Sequence, residues 1–305
     1  MKKRIIFMGT PVFAANVLKK IIKKYPGQVV GVVTQPDKPF GRKKLIQPTP
    51  VKQVAMDEGI IILQPEKVRI DHKEILELKP DIILTAAYGQ IIPQELIDFP
   101  EFGCVNFHGS ILPKYRGGAP IQRAIMNGEK ETGITLMYMN AKMDEGNIIK
   151  HNNFKIENND TTETVFLKME NACYDLIDNE IDNIFDNKNA STIQNHNLAS
   201  YAPNIRSEDC EIKISEMTSQ KIHNIVRALF PRPGAFIIHE KKKFKILKTI
   251  LTDEKSSPSL VHFDQKNKLI TITGIDGIIL IVEVIQAENK TKQQAKDYLN
   301  GMRNA

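Results

Sequence analysis

Five short apolar runs, RIIFMG, VVGVVT, DIILTAAYG, CVNFHG and GITLMYM, recur through the first 150 residues of this chain, with helical patterns between them. A strand that is apolar on both faces has to be covered on both faces, so such runs predict a mostly parallel sheet with helices on either side. The first half therefore reads as a doubly wound, Rossmann-like α/β domain. The opening MKKRIIFMGTPVFAANVLKK imitates a signal peptide, but its apolar run, Ile5 to Met8, stops at Gly9-Thr10-Pro11. That is short of the roughly 7–15 residues of a signal peptide's apolar region. It reads instead as a buried strand, a turn and a helix, with Thr10 as cap and Pro11 at the first helical position. The turn carries one glycine rather than G-x-G-x-x-G, which gives a dinucleotide site little support.

With 305 residues the chain has room for a second domain. Residues 161–180 have the pattern of an amphipathic helix, and an Asn-rich polar stretch follows it. Beyond, KIHNIVRALF spaces Ile222, Ile225, Val226 and Leu229 helically, FPRPGAF ends that helix, and β-rich segments take over. LITIT and IILIVEVI flank Asp276-Gly277, a strong hairpin signal. The expected organisation is a catalytic domain at 1–188, a linker at 189–206, and a small OB-like β-barrel domain at 207–305.

Composition excludes whole classes. Hydrophobic residues at 41% and charged residues at 26% are neither a disordered nor a membrane signature, and no stretch approaches transmembrane length. Cys104, Cys173 and Cys210 lie far apart with no C-x-x-C, which argues against a disulfide framework or structural zinc and suits a reducing cytoplasm. The net charge of +6 is uneven: Lys and Arg outnumber Asp and Glu by 12 to 1 in residues 1–52, are outnumbered 13 to 23 in 53–205, and lead 17 to 12 in 206–305. Two basic ends suit a polyanion, although solvated surface lysines account for the same counts.

The stretch CVNFHGSILPKYRG, residues 104–117, is where chemistry is expected. Alternation along a strand puts Val105 and Phe107 on one face and Asn106 and His108 on the other, at the strand's end. MYMNAKMDEGNII offers a third group, Asp144, in a loop after the next strand. An Asn, a His and an Asp meeting there could orient an imidazole and donate to an oxyanion on an attacked carbonyl, with no enzyme nucleophile and no metal. Ser110 as a nucleophile is disfavoured, because HGSIL is not a G-x-S-x-G elbow. Taken singly, each of the three is more often structural. Ile111 and Leu112 could wall a planar ring or simply close the core, and Lys114 and Arg116 form a basic pair in the same loop. Upstream, QPDKPFGRKKLIQPTPVK, with four prolines and the cluster Arg42, Lys43, Lys44, reads as an exposed basic loop suited to a phosphate backbone.

These residues together resemble the methionyl-tRNA formyltransferases. The likeness runs over nearly the whole chain: IIFMGTPVFA, VVTQPDKPFGRKK with PVK, AAYGQIIP, NFHGSILPKYRGGAPIQRAI, ETGITLM, MDEGNI and IHNIVRALFPRPGAF. The resemblance implies formyl transfer from 10-formyltetrahydrofolate to the α-amino group of methionyl initiator tRNA by a cytoplasmic, metal-free, monomeric enzyme. It assigns catalysis to Asn106, His108 and Asp144, the formyl donor to Ser110, Ile111, Leu112 and Pro113, tRNA contact to Arg42, Lys43 and Lys44, and further tRNA surface to the C-terminal domain. Three positions depart from the family pattern: Ile111 for a leucine, Glu145 for a small residue or Thr, and Arg232 for a Trp. A glycinamide-ribonucleotide formyltransferase shares the trio but lacks the basic C-terminal extension. Fused relatives that formylate amino sugars carry a larger second enzyme domain. A non-catalytic RNA-binding protein would use the basic ends alone.

Overall fold

The first apolar run forms β1 (Ile5–Gly9), buried along its length, and leads through Pro11 into α1 (Val12–Lys24). A computed structural model describes residues 2–40 and 45–302, which divide into two units. One contains the residues up to Pro120 with Glu131–Phe154 and Phe166–Ala202; the other contains Ile121–Lys130, Lys155–Val165 and the residues from Pro203 onward. The cluster Arg42, Lys43, Lys44 lies outside the described residues.

In chain order the first unit continues with β2 (Val29–Val33), the short ribbon β3 (Lys38–Phe40) and β4 (Leu45–Gln47), α2 (Pro50–Asp57) and β5 (Ile62–Leu63). Then come α3 (Lys73–Glu77), β6 (Ile82–Ala86), α4 (Gln94–Asp98) and β7 (Cys104–His108). After α5 (Pro120–Met126), which but for Pro120 belongs to the second unit, the strands β8 (Glu131–Tyr138) and β9 (Ile148–Lys155) precede α6 (Thr162–Phe185), whose first turn also belongs to the second unit. The sheet order is β5-β2-β1-β6-β7-β8-β9. The chain fills one side of β1 and then crosses to the other, which is the doubly wound arrangement expected of fully apolar strands. Pairings from β5 through β7 are parallel, whereas β8 runs antiparallel to β7.

Local chemistry explains the helix starts. Thr49 caps α2, accepting from the Lys52 N–H at 3.1 Å with Pro50 in the first turn. Thr10 does not cap α1, contrary to expectation: Pro11 occupies the cap position, and the Thr10 hydroxyl donates instead to the Tyr88 carbonyl at 2.9 Å, joining the loops that leave β1 and β6.

The second unit is built on α7 (Ser219–Leu229) and an antiparallel sheet. Its strands are β10 (Ala235–His239), β11 (Lys242–Lys255), β12 (Val261–Asp264), β13 (Leu269–Thr273), β14 (Ile278–Ala287) and β15 (Gln293–Gln294), followed by α8 (Ala295–Met302). The path is β10-β11-β14-β13-β12, with β15 on β14, and register shifts interrupt β11 against β14. The hairpin at Asp276-Gly277 joins β13 to β14 as its dipeptide predicts. Asp276 also serves α7: its Oδ1 accepts from the Ser219 N–H at 3.1 Å and the Ser219 hydroxyl at 2.9 Å, a carboxylate at a helix N-terminus. Burial pulls the Asp276 carboxyl upward, but the Ser219 hydrogen bonds outweigh it and the group ionises below its usual range.

Asp276→Ala is expected to cost the C-terminal unit about 1 kcal/mol at neutral pH, read as a lowered urea midpoint. Because the folded carboxyl is depressed, that contribution is present above the ordinary Asp range near pH ~3.9 and fades as pH falls through the folded value. The gap between variant and wild type should therefore close in acid.

Candidate active site

Asn106 and His108 leave β7 on the same face, two residues apart and so roughly 6–7 Å along the strand. The sequence predicted that β8 would deliver Asp144 at the same end of the sheet, as parallel neighbours do. The pairing is antiparallel instead, so Tyr138 at the end of β8 lies beside Val105, at the opposite end of β7 from His108. Asp144 reaches the histidine because the next loop turns back. The Tyr138 N–H donates to the Asn147 carbonyl at 2.9 Å, and Asp144 itself adopts the left-handed conformation, φ 53°. Gly146 makes the turn possible, since a Cβ there would stand 1.8 Å from the Tyr138 oxygen.

The outcome is a direct contact: His108 Nδ1 is 3.4 Å from Asp144 Oδ1, and the other carboxylate oxygen, Oδ2, accepts from the Gly117 N–H at 2.8 Å. His108 Nε2 lies 3.0 Å from the Tyr115 carbonyl, which can only accept, so Nε2 carries a proton. Nδ1 then faces the Asp144 carboxylate. The ring is 6% exposed. Sequence reasoning gave Asp144 the task of orienting His108; the Tyr115 carbonyl shares it, from the far side of the ring. The Asn106 oxygen accepts from the Thr85 hydroxyl at 2.7 Å across β6 and β7, which leaves the amide N–H donors for a ligand.

The segment Ser110 to Pro113 follows β7 after Gly109. Ser110 is fully buried and its hydroxyl donates to the Lys114 carbonyl at 2.6 Å, so it is a turn-former and not a nucleophile. Leu112 is buried, Ile111 and Pro113 are half-buried, and the Leu112 N–H donates to Thr135 Oγ1 at 3.1 Å. His151 on β9 bonds the Leu112 backbone; burial pushes its imidazole below the usual range, against the effect of that bond. A cavity of about 520 Å³ lined by Lys67, Arg69, Ile70, Gln90 and Ile91 opens at the loop that follows β6. Among the described residues there is no cluster of groups that could hold a metal ion.

Several residues of the site were not legible as such. Arg116 read as one of two basic residues in a surface loop; it is 1% exposed, with Nη1 at 3.0 Å from Glu145 Oε1 and Nε and Nη2 at 3.1 and 2.7 Å from Gln194 Oε1. Glu145, a departure from the family pattern, is thus the counter-ion of a buried guanidinium. Gln194 comes from the Asn-rich stretch. The signal available was only that Arg116 sits between the site strand and the pair Gly117-Gly118. Removing Glu145 leaves that charge unpaired. Glu145→Ala should destabilise the protein by about 3 kcal/mol, and Glu145→Gln by distinctly less, in urea unfolding; equal midpoints for the alanine variant and wild type would refute the pairing.

Comparison with known proteins gives this geometry a context. Residues 2–178 match the formyl transferase family and residues 204–303 match the formyl transferase C-terminal domain. The methionyl-tRNA formyltransferase of Staphylococcus epidermidis is 43% identical over 303 residues, covering 98% of this chain and 96% of that protein. Among solved structures, an N-formyltransferase from Helicobacter canadensis in complex with folinic acid and dTDP-3-aminofucose superposes with a TM-score of 0.71 at 26% identity, covering 93% of this chain and 99% of that one. The methionyl-tRNA formyltransferase from Clostridium thermocellum superposes with a TM-score of 0.59 at 21% identity, covering 84% and 96%.

Proposed function

The chain belongs to the formyl transferase family, and from that premise we propose that it transfers the formyl group of 10-formyltetrahydrofolate to the α-amino group of methionine esterified to initiator tRNA. The observation that carries the chemistry is the contact of His108 with Asp144 beside an amide whose oxygen is already engaged. An α-amino group has an ordinary pKa near ~7.7–8.0, so a neutral fraction exists at physiological pH and no strong base is required. The folate supplies an activated formyl carbon.

What the protein adds is charge stabilisation and a proton. The Asn106 N–H donors face the carbonyl oxygen on which negative charge develops. The His108 and Asp144 pair beside that amide is the group that takes up and returns protons. Addition makes the α-amino nitrogen cationic; the His108 and Asp144 pair accepts the proton it releases and passes one to the folate nitrogen as that nitrogen's bond to the formyl carbon breaks. Tyr115 and Gly117 hold the two partners by backbone groups that do not titrate. Ser110, Ile111, Leu112 and Pro113 are read as the wall against which the folate lies.

For the acceptor, the basic segment at Arg42, Lys43 and Lys44 and the C-terminal unit are read as the tRNA-binding surface. The register shifts of β11 support an OB-like curl in that unit. The chain is read as catalytic residues 1–188, a connector at 189–206 and tRNA-binding residues 207–305. The enzyme is taken to act as a monomer in the cytoplasm, in keeping with three buried, unpaired cysteines.

Incubating the protein with formyl-labelled folate and methionyl initiator tRNA should put the label on the amino acid; glycinamide ribonucleotide as the preferred acceptor would overturn the reading. Asn106→Ala should lower kcat by about 10²–10³, the usual effect of losing one oxyanion donor, with the folding midpoint and tRNA affinity unchanged. Neutralising Lys43 and Lys44 should weaken tRNA binding and reduce its dependence on salt by about two counter-ions, measured as the slope of log Kd against log salt.

A further inference from the structure

Gln194 is 3% exposed and makes four hydrogen bonds whose polarity is fixed by its neighbours. Its oxygen accepts from Nε and Nη2 of Arg116 at 3.1 and 2.7 Å, and a guanidinium can only donate. Its nitrogen donates to the carbonyls of Asp144 and Gly146 at 2.8 and 2.7 Å, which can only accept. No rotation of the amide satisfies this set in reverse. The residue is brought there by a two-bond bridge between Thr192 and Ile148, at 2.8 and 2.9 Å, just upstream. Asp144 holds a left-handed backbone, φ 53°, which aspartate tolerates better than most non-glycine residues, and the Gln194 amide grips the carbonyls on either side of Glu145, which fixes the turn in place.

We propose that Gln194 is a positioning residue for the reaction: it fixes the 144–146 turn so that the Asp144 carboxylate stays on Nδ1 of His108, with Arg116 as its rear anchor. The inference rests on the role given above to the His108 and Asp144 pair. Glu145, by pairing with Arg116 from the same turn, closes a ring of three side chains around the Asp144 backbone. Loss of the amide frees the turn to relax out of its left-handed conformation, and a shift of about 1 Å at a catalytic group can cost on the order of 100-fold in rate.

The discriminating variants are Gln194→Glu and Gln194→Leu. Glutamate keeps the size and the Arg116 contact but sets an acceptor against the two carbonyls; leucine removes both halves. Each should lower kcat by about 10- to 100-fold while KM for folate and for methionyl-tRNA stays within about twofold. In an Asp144→Asn background the Gln194→Leu change should cause no further loss, because the group it positions is already gone. The His108 ring-nitrogen NMR signals, assigned with His108→Gln, should move in both Gln194 variants. Folded variants with unchanged imidazole signals, or a loss that multiplies in full with Asp144→Asn, would overturn the proposal. A wild-type protein inactive on methionyl-tRNA would overturn the acceptor reading instead, and the imidazole signals would still decide for or against the clamp.

Discussion

A guanidinium withdrawn from water has to have its donors met inside the protein, and Arg116 imposes that condition on the whole catalytic unit. Its partners do not come from neighbouring sequence. Glu145 lies in the turn after β8, and Gln194 and His196 lie beyond α6, with His196 Nδ1 at 3.3 Å from Nη2. The charge can be buried only when three loops have arrived together, so pairing Arg116 also assembles the site. This gives irregular chain the fixity that catalytic groups normally take from helices and strands.

Backbone groups complete the assembly. Residues 200–202 lie along the loop after β7 as a short strand would: Arg116 donates to the Ser200 carbonyl at 2.8 Å, Ala202 to the Arg116 carbonyl at 2.6 Å, and Ala119 to the Ala202 carbonyl at 3.0 Å. Gly117, at φ 112°, allows the close approach, since a Cβ there would come within 2.9 Å of the Ala202 oxygen. The Ser200 hydroxyl accepts from the Tyr115 N–H at 2.9 Å, which steadies the peptide whose carbonyl holds His108. Buried main chain without helix or sheet is thereby satisfied, and the imidazole is oriented by groups that side-chain substitution hardly alters.

What was legible in the sequence follows the same division. The sheet strands announced themselves because burial on two faces requires unbroken apolar runs, and the hairpin at Asp276-Gly277 because positive φ favours so few residues. The likeness to formyltransferases marked Asn106, His108 and Asp144, and two of the three meet directly. The hydroxyl of Thr10 was misread because a cap and a cross-loop hydrogen bond ask for the same residue. The direction of β8 was hidden, since an apolar run has no polarity of its own. Least visible was the stretch at 192–202. It is Asn-rich and weakly patterned because it works through its backbone and a single glutamine, and composition sees only a linker.

The antiparallel run of β8 has a chemical consequence. A parallel strand would have brought its following loop out at the His108 end on a short tether, with the aspartate in ordinary extended or helical backbone. Reversal makes the chain travel back, and it does so through a glycine against the Tyr138 oxygen and an aspartate at positive φ. Gln194, Gly117 and the Arg116 pair all bond to this turn and add to aspartate's own tolerance of that backbone. The Asp144 carboxylate consequently approaches Nδ1 from within the protein and not from solvent, with 15% of its side chain exposed. The loop that carries Asp144 therefore also encloses the contact it makes with His108.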